Sequence, residues 1–330
     1  MQISTPSAVP IGRRWAIILA AGRGTRLSSL TRNAAGDTVP KQFCSLDGHA
    51  TLLEVTCARA LQVVDSQRVS AVVATDHRDY WEPVLRGLAS DNIVAQPHDR
   101  GTATGILLAA LPIADRDPDA TVLILPSDHH VADERRLAAT LGETLDDIRH
   151  HDCGVALLGI APDEPDPELG YIVPQSAGHP RVHGVRRFVE KPSAREAASL
   201  MNSGALWNSF IIVCRISSLV ALLSHRHSNV VQALQAIDLR NMVALDPVLR
   251  DLPTVDFSRD VATGQEHRLA VVAAPHCGWN DLGTPRRLAK TLARHRRHGP
   301  ADVPAGVAGD RWINLADRLT QTDDSLRMTA

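Results

Sequence analysis

Short apolar runs alternate with longer segments of helical periodicity along most of the chain. Seven of these runs are rich in Val and Ile and are bounded by Gly, Pro or Asp: WAIILA, VSAVVAT, NIVAQ, TVLILPSD, GVALLGI, FIIVC and LAVVAAP. Runs of this length and composition predict buried strands of a mostly parallel sheet. Residues 52–64 and 102–114 carry apolar side chains at helical spacing, so they predict two of the connecting helices. The pattern therefore predicts an α/β fold with a doubly wound, mostly parallel sheet.

One interval interrupts this alternation. Residues 160–192 are rich in Pro and Gly, which predicts an antiparallel excursion inserted into the sheet, and we expect this substrate-side part to cover about 160–215. We predict a flexible N-terminus over 1–14 and a main domain over 15–295. The composition then shifts to small residues, which predicts a linker and a short, loosely docked tail over 296–330.

Composition narrows the classes of function. The 330 residues carry a formal net charge of −2 and the arginines are scattered, which argues against nucleic acid as a partner. Five cysteines without a C-x-x-C pair fit reduced thiols in a cytosol. The first 14 residues lack the apolar core of a signal peptide, and no apolar run is long enough to span a membrane. We therefore expect a cytoplasmic protein that binds neither nucleic acid nor a membrane.

The first predicted strand runs into the glycine-bearing stretch LAAGRGTRL. Gly22 and Gly24 allow backbone N–H groups to approach a phosphate, and Thr25 and Arg26 follow at once to bind it. The third glycine of a dinucleotide fingerprint is absent, because Leu27 stands in its place, and no Gly-Lys-Ser/Thr closes the stretch as a Walker A loop. For this stretch taken alone, a tight turn with a solvated arginine is the alternative.

A second cation follows the glycine loop. Lys41 comes fifteen residues past Arg26 and directly after Pro40, and two cations beside a glycine cradle suit a triphosphate. The combination of LAAGRGTRL and PKQF resembles the signature of the sugar-1-phosphate nucleotidyltransferases, and the Gln-Phe after the lysine resembles their mannose-1-phosphate guanylyltransferase branch. The resemblance covers most of residues 15–290, because further motifs follow in the family's order: AQPHDRGTATGI, LPSDHH, LGYI, FVEKP, WNSF and GWNDLGTP.

The resemblance implies a Rossmann-like nucleotide-diphospho-sugar transferase fold with an inserted antiparallel sugar-side subdomain. It implies transfer of a guanylyl group from GTP to mannose 1-phosphate, giving GDP-mannose and pyrophosphate, with Mg²⁺ as the cofactor and a homodimer as the family's expected assembly. After residue 300 the chain is too short for the isomerase domain of longer bacterial relatives, so we expect a monofunctional short form. One departure is LSSL, which stands where the branch usually has Trp-Pro.

The resemblance also implies roles for individual residues. The catalytic cations are Arg26, Lys41 and Lys191. The nucleotide-binding residues are Leu19, Ala20, Ala21, Gly22, Gly24, Thr25, Gln96, Arg100, Gly101 and Thr102. The sugar-phosphate-binding residues are Gly170, Tyr171, Glu190, Lys191 and Asn208. Judged as single residues, Arg100 could instead cap a helix end and Tyr171 could pack in the core.

Two aspartates follow predicted strands from distant parts of the chain. Asp128 comes directly after TVLILPS, and Asp281 lies in GWNDLG beyond LAVVAAP. Carboxylates are the hard oxygen ligands that Mg²⁺ takes when phosphates supply its other positions, and the resemblance implies that these two form the metal pair. The alternatives are that Asp128 caps the next helix and that Asp281 forms a turn before Gly283.

Three other functions stay open at the level of sequence. The same chemistry could act on another sugar 1-phosphate or another nucleotide. A catalytically silent regulatory subunit that binds a nucleotide sugar should have lost a phosphate-binding cation or a metal carboxylate, whereas every charged residue assigned above is present. An NAD-dependent oxidoreductase is disfavoured by the missing third glycine and by the lack of a clear acidic residue for the ribose.

Overall fold

Strands and helices extend from Arg14 to His298 and alternate over most of this range. The computed structural model describes residues 13–33, 35–178, 180–298 and 313–319. Within these residues the strands are β1 (Arg14–Ala20), β2 (Val69–Ala74), β3 (Ile93–Gln96), β4 (Thr121–Pro126), β5 (Val155–Ile160), β6 (Tyr171–Gly178), β7 (Val182–Val189), β8 (Leu206–Arg215) and β9 (Ala270–Ala273). The α-helices are α1 (Leu52–Leu61), α2 (Arg78–Leu85), α3 (Gly101–Arg116), α4 (Glu134–Asp147), α5 (Ala194–Asn202), α6 (Ile216–Gln235), α7 (Met242–Asp251) and α8 (Pro285–His298).

The strands form one sheet in the order β3-β2-β1-β4-β8-β5-β9-β7-β6. β1 pairs in parallel with β2 and β4, β2 with β3, and β5 with β9. β8 lies antiparallel between β4 and β5, and β7 is antiparallel to β9 and β6, so these two strands run against the other seven. The predicted α/β architecture is present, and each of the seven apolar runs overlaps a strand. The pattern could not give the direction of β8, because a strand buried on both faces is a continuous apolar run in either orientation.

The hairpin of β6 and β7 is the antiparallel excursion predicted within 160–192. It extends the central sheet instead of forming a separate layer, because β7 pairs with β9 and β6 also pairs with β8. These pairings satisfy backbone groups that would otherwise form an exposed edge of β9.

Both faces of the sheet are covered by helices. Along β1, Ala16 and Ile18 face one apolar core, while Trp15 and Ile17 face the other. Buried residues of α1, α2, α4, α5 and α8 belong to the first core, and those of α3, α6 and α7 belong to the second. This arrangement is the doubly wound fold expected from the sequence.

The predicted terminal segments are described only in part. Residues 1–12, 299–312 and 320–330 lie outside the described residues. Residues 313–319 dock on the first core, since Ile313 and Leu315 are buried and form backbone hydrogen bonds with Ser45 at 2.9 Å each. Helix α8 extends past the predicted boundary at 295. In the described parts of the chain, no helix combines the length and the apolar character needed to cross a membrane.

Candidate active site

A cleft of about 550 Å³ opens at the carboxyl ends of β1, β3 and β4 and extends to β7 and β8. Ligands of open α/β sheets bind at this edge of the strands. Fourteen residues proposed from the sequence line the cleft: Leu19, Ala21, Gly22, Gly24, Arg26, Gln96, Gly101, Thr102, Asp128, Gly170, Glu190, Lys191, Asn208 and Asp281. Four others lie beside it or away from it: Ala20, Lys41, Arg100 and Tyr171. The side chain of Thr25 lies outside the described part of the structure.

The glycine loop after β1 is supported by contacts with Lys41 and Gln42 of the next loop. Gly24 has φ +60°, and a Cβ atom there would stand 2.9 Å from the backbone N of Lys41, so only glycine fits without strain. The side-chain amide of Gln42 donates to the carbonyl oxygens of Ala20 at 2.9 Å and Gly22 at 2.7 Å. These bonds fix the carbonyl groups of the loop and leave its outer side open to the cleft.

Lys41 connects the two aspartates predicted as metal ligands. It lies in a short 3₁₀ turn and is 4% exposed. Its ammonium group lies 2.9 Å from Oδ2 of Asp128 and donates to the backbone carbonyl of Asp281 at 2.7 Å. One buried cation therefore brings together segments that are far apart in the sequence.

Asp128 is not the cap of the following helix. Helix α4 begins after Asp133, whose side chain accepts the backbone N–H of Arg136. Burial disfavours the charged form of Asp128, but the charges of Lys41 and His129 outweigh burial and lower the pKa of Asp128 to about 2. Asp128 is therefore ionised at neutral pH and lies at the end of β4 with an edge in the cleft.

Asp281 forms a turn and also lines the cleft. Its Oδ1 accepts the backbone N–H of Gly283 at 3.1 Å and the guanidinium of Arg287 at 2.5 Å. A Cβ atom on Gly283 would lie 2.5 Å from Oδ2 of Asp281, so the glycine keeps space around that oxygen. Burial raises the pKa of this carboxyl, but Arg287, His129, the N–H of Gly283 and Lys41 together outweigh burial, and the pKa lies below its usual value.

The donor set fits a divalent cation that shares its coordination with phosphates. Asp128 and Asp281 both line the cleft and are both ionised, and carboxylates suit Mg²⁺ and similar hard ions. Among the described residues, no group of three or more His, Cys, Asp or Glu side chains could hold an ion by itself. Oxygens from a bound substrate would have to complete the coordination.

One end of the cleft, built from β3 and the start of α3, carries three of the predicted nucleotide-binding residues, Gln96, Gly101 and Thr102. Gln96 ends β3, and Gly101 begins α3 with φ +83°. A Cβ atom on Gly101 would lie 2.3 Å from the carbonyl oxygen of Val255, so this glycine allows a close approach of two backbones. The hydroxyl of Thr102 accepts the backbone N–H of Phe257 at 2.8 Å, which fixes the same two segments together.

Two of the residues outside the cleft make structural contacts. Arg100 donates to the carbonyl oxygens of Leu249 and Arg250 at 2.5 Å each, at the C-terminal end of α7. This contact corresponds to the helix-capping alternative. Tyr171 is fully buried, and its hydroxyl accepts the backbone N–H of Asp166 at 2.8 Å.

The opposite end of the cleft contains the residues assigned to the sugar. A Cβ atom on Gly170 would lie 2.7 Å from Oε2 of Glu190, so the glycine leaves room for that carboxyl. Burial and the nearby charge of Asp256 raise the pKa of Glu190 above its usual value. The side-chain amide of Asn208 donates to the hydroxyl of Ser258 at 3.4 Å. Amide, hydroxyl and carboxyl groups in this arrangement can hydrogen-bond vicinal hydroxyl groups.

Strained backbone is concentrated around the cleft. In the described part of the chain, the non-glycine residues with positive φ are Lys191 at +48°, Phe210 at +58° and Leu282 at +50°. Lys191 and Phe210 line the cleft, and Leu282 directly follows Asp281. Strain of this kind costs of order 1–3 kcal/mol per residue and clusters at functional sites.

Sequence reasoning missed several residues that line the cleft. They include Gln42, His129, Glu168, Phe210, Thr254, Asp256, Ser258 and Arg259. Gln42, His129 and Phe210 lie inside the motifs quoted above, and Glu168 precedes LGYI, so position in a motif was an available signal. Residues 254–259 lie outside every motif. They overlap a π-helical turn, Phe257–Ala262, which no hydrophobic period predicts.

Comparisons with known proteins show the family of this chain. A family model described as nucleotidyl transferase matches residues 15–297. The chain belongs to this nucleotidyl transferase family. A mannose-1-phosphate guanylyltransferase of Sinorhizobium fredii is 32% identical over 288 residues, covering 81% of this chain and 52% of the relative. One from Escherichia coli K12 is 31% identical over 286 residues, covering 81% of this chain and 57% of the relative.

A solved structure is also similar to this member of the nucleotidyl transferase family. The crystal structure of a mannose-1-phosphate geranyltransferase from Thermus thermophilus matches with a TM-score of 0.74 and 27% identity, covering 85% of this chain and 79% of that one. The chain spans little more than half the length of the two curated relatives described above. Nucleotidyl transferases use nucleoside triphosphate and sugar phosphate substrates and generally a divalent metal ion, so family membership gives no support to an NAD-dependent oxidoreductase.

Proposed function

We propose that this protein transfers a guanylyl group from GTP to mannose 1-phosphate, releasing GDP-mannose and pyrophosphate. The observation that carries the proposal is the set of contacts of Lys41, which joins Asp128 and the Asp281 turn beside the glycine loop. The choice of GTP and mannose 1-phosphate follows the relatives, which are named mannose-1-phosphate guanylyltransferases.

The reaction is a displacement at the α-phosphorus of the triphosphate. An oxygen of the sugar phosphate forms the new bond to this phosphorus, and the bond to the bridging oxygen of pyrophosphate breaks. Because both reactants are anions, catalysis consists mainly of neutralising charge and aligning the attacking and leaving oxygens. We propose Mg²⁺ as the divalent ion, held by Asp128 and Asp281, where it would neutralise charge on the phosphates.

The side chains around the cleft divide this work. Arg26 is half exposed and lies 3.7 Å from Glu168, an exposed ion pair that costs little to exchange for a phosphate. Lys41 fixes the distance between the segments of the two aspartates. At the other end, Lys191 is exposed within the cleft and can bind the phosphate of the sugar. Glu190 and the neighbouring amide can bind the sugar hydroxyls.

A substrate panel tests this activity. The purified protein is incubated with Mg²⁺ and each pairing of the four common nucleoside triphosphates with mannose, glucose or N-acetylglucosamine 1-phosphate, and products are weighed by mass spectrometry. We expect GDP-mannose as the dominant product, with pyrophosphate in equal amount. If another nucleotide sugar dominates, its nucleotide and sugar are the substrates instead of GTP and mannose 1-phosphate. A folded protein that forms no nucleotide sugar would point to the catalytically silent regulatory subunit.

A further inference from the structure

A buried arginine on α8 contacts three segments of the cleft wall. Arg287 is 5% exposed, and its guanidinium donates to Oδ1 of Asp281 at 2.5 Å. The Nε atom lies 3.3 Å from Oδ2 of Asp166, and the central carbon lies 5.0 Å from the centre of the Trp207 ring. A planar guanidinium can pair with carboxylates through separate N–H groups while it stacks on an aromatic face, whereas the ammonium of a lysine cannot do both.

Each partner of Arg287 leads to a different part of the candidate site. Asp281 is the carboxylate proposed for the metal. Asp166 begins the turn that leads to Gly170, and its backbone N–H donates to the buried hydroxyl of Tyr171. Trp207 directly precedes Asn208, so its position sets where the amide enters the sugar end.

We propose that Arg287 is a positioning residue that couples the metal carboxylate to the sugar end of the cleft. It binds Oδ1 of Asp281, while Oδ2 lies beside Gly283 and the residue lines the cleft. The same guanidinium fixes Asp166 and Trp207, so a shift of the metal carboxylate displaces the sugar-binding segments with it. Buried groups that orient a metal ligand typically contribute about 10- to 100-fold to metal affinity or activity.

The neighbouring Arg286 provides a matched control. It lies on the same helix and pairs at 2.7 Å with Glu164, which is in the same loop as Asp166, but its side chain is 81% exposed. Replacing either arginine removes one positive charge from the contact between α8 and this loop. Only Arg287 reaches Asp281 and the ring of Trp207.

The experiment measures binding, separately from catalysis. Titration calorimetry gives the affinities of GDP and GDP-mannose, with and without Mg²⁺, for the wild type, Arg287→Gln, Arg287→Lys and Arg286→Gln. The ratio of the two affinities reports the sugar end, and the gain on adding Mg²⁺ reports the metal end. Thermal unfolding of each variant is recorded in parallel.

We expect Arg287→Gln to lose about tenfold or more in both the sugar ratio and the Mg²⁺ gain, while its Mg²⁺-free affinity for GDP stays within about twofold of the wild type. Arg287→Lys should recover part of the Mg²⁺ gain but not the sugar ratio, and Arg286→Gln should match the wild type. Arg287→Gln values equal to those of Arg286→Gln would overturn the proposal. If Arg287→Gln does not fold, Arg287→Lys decides, and an unchanged sugar ratio in it would overturn the proposal.

This inference rests on the proposed function, yet the two can fail separately. A wild-type protein that binds neither GDP nor GDP-mannose contradicts the proposed function. A wild type that binds GDP-mannose more tightly than GDP, together with variants that behave alike, contradicts only the role of Arg287.

Discussion

Lys41 has a constrained environment for a cation expected to act on phosphates. It is almost fully buried, and it contacts the carboxylate of Asp128 and the backbone of Asp281. A buried charge must be compensated by partners, and here the compensating groups belong to the candidate metal site. Lys41 therefore sets the spacing of the two aspartates, and any contact with a phosphate would share these partners.

The charge of Asp281 is predicted to be essential, while its role in the turn is not. In Asp281→Asn the side-chain oxygen can still accept the N–H of Gly283, so the fold should persist. Turnover should fall by roughly 100-fold or more, because loss of a preorganised charge at such a site has this effect. Steady-state assays of GDP-mannose formation check the prediction, with circular dichroism to verify folding.

The exposed carboxylate Asp163, which pairs with Lys290 away from the cleft, provides the control. Asp163→Asn should retain wild-type turnover. Wild-type activity in Asp281→Asn would exclude this aspartate as a metal ligand.

The two glycines of the first loop are predicted to respond differently to alanine. Gly24 has φ +60° and no room for a Cβ atom beside Lys41, whereas a Cβ atom on Gly22 would meet no heavy atom within 4 Å. Gly24→Ala should lower the free energy of unfolding by at least about 1–2 kcal/mol, the cost of a left-handed conformation with a side chain. Gly22→Ala should stay within about 0.5 kcal/mol of the wild type.

Denaturant unfolding of both variants measures these differences. Equal stability of the two would mean that the loop relaxes away from Lys41 at little cost.

Single residues were predictable from the sequence where a motif carried them. The glycines and aspartates at strand ends follow from what the backbone and a metal require, and most of them line one cleft. Arg287 and Asp256 were not predictable, because Arg287 contacts Asp166 and Trp207 and Asp256 acts on Glu190, and these partners are far away in the sequence. Asp128 illustrates the limit: its sequence context also fitted a helix cap, and only the contact of Asp133 with α4 separates the two roles.

At the scale of elements, one segment joins the two ends of the cleft. Residues 254–262 contact the start of α3 through Val255 and Phe257, and they contact Asn208 through Ser258. The end with Gln96, Gly101 and Thr102 and the sugar end thus share a wall. Two residues of the π-helical turn Phe257–Ala262 line the cleft, Ser258 and Arg259.

Asp256 is predicted to control the ionisation of Glu190. Burial raises the pKa of Glu190 and the negative charge of Asp256 raises it further, so Asp256→Asn should lower that pKa toward the ordinary value of a glutamate. Because its folded-state pKa is raised, protonated Glu190 stabilises the fold at low pH, and this contribution is lost as the pH rises from the ordinary pKa to the raised one. In Asp256→Asn the pH range over which it is lost should be narrower. Carboxyl ¹³C shifts, assigned with Glu190→Gln, report the titration.

Asp251→Asn, at the exposed end of α7, serves as the control and should leave the pKa of Glu190 unchanged. An identical titration of Glu190 in the wild type and in Asp256→Asn would show that burial alone raises its pKa.

Elements were predictable to the extent that burial produces a period. Strands β1 to β5, β8 and β9 appear as apolar runs because both faces of the sheet are covered. The antiparallel insertion of β8 between β4 and β5 depends on pairing partners, which the pattern along one strand does not contain. Neither did the pattern reveal the π-helical turn, which combines buried and exposed residues without a regular period.

At the scale of the whole molecule, a segment near the C-terminal end of the described residues contacts a turn near the N-terminal end. The segment 313–319 packs on the first core and pairs with Ser45, four residues after Lys41. The turn that carries the buried lysine is therefore braced by a part of the chain more than 260 residues away in the sequence. The small and polar residues beyond 296 predict a loosely docked tail. Composition does not show that a few apolar side chains, such as Ile313 and Leu315, are buried.

The packing of Leu315 on the first core is predicted to contribute substantially to the free energy of unfolding. Its side chain is fully buried, so Leu315→Ala should lower the free energy of unfolding by about 2–5 kcal/mol, through lost transfer energy and a cavity. Asp317, on the exposed side of the same segment, gives the control, and Asp317→Ala should stay within about 0.5 kcal/mol of the wild type. Denaturant unfolding measures both variants. If Leu315→Ala is as stable as Asp317→Ala, residues 313–319 do not pack on the core in solution, and Ser45 and the turn that holds Lys41 must be stabilised by the main domain alone.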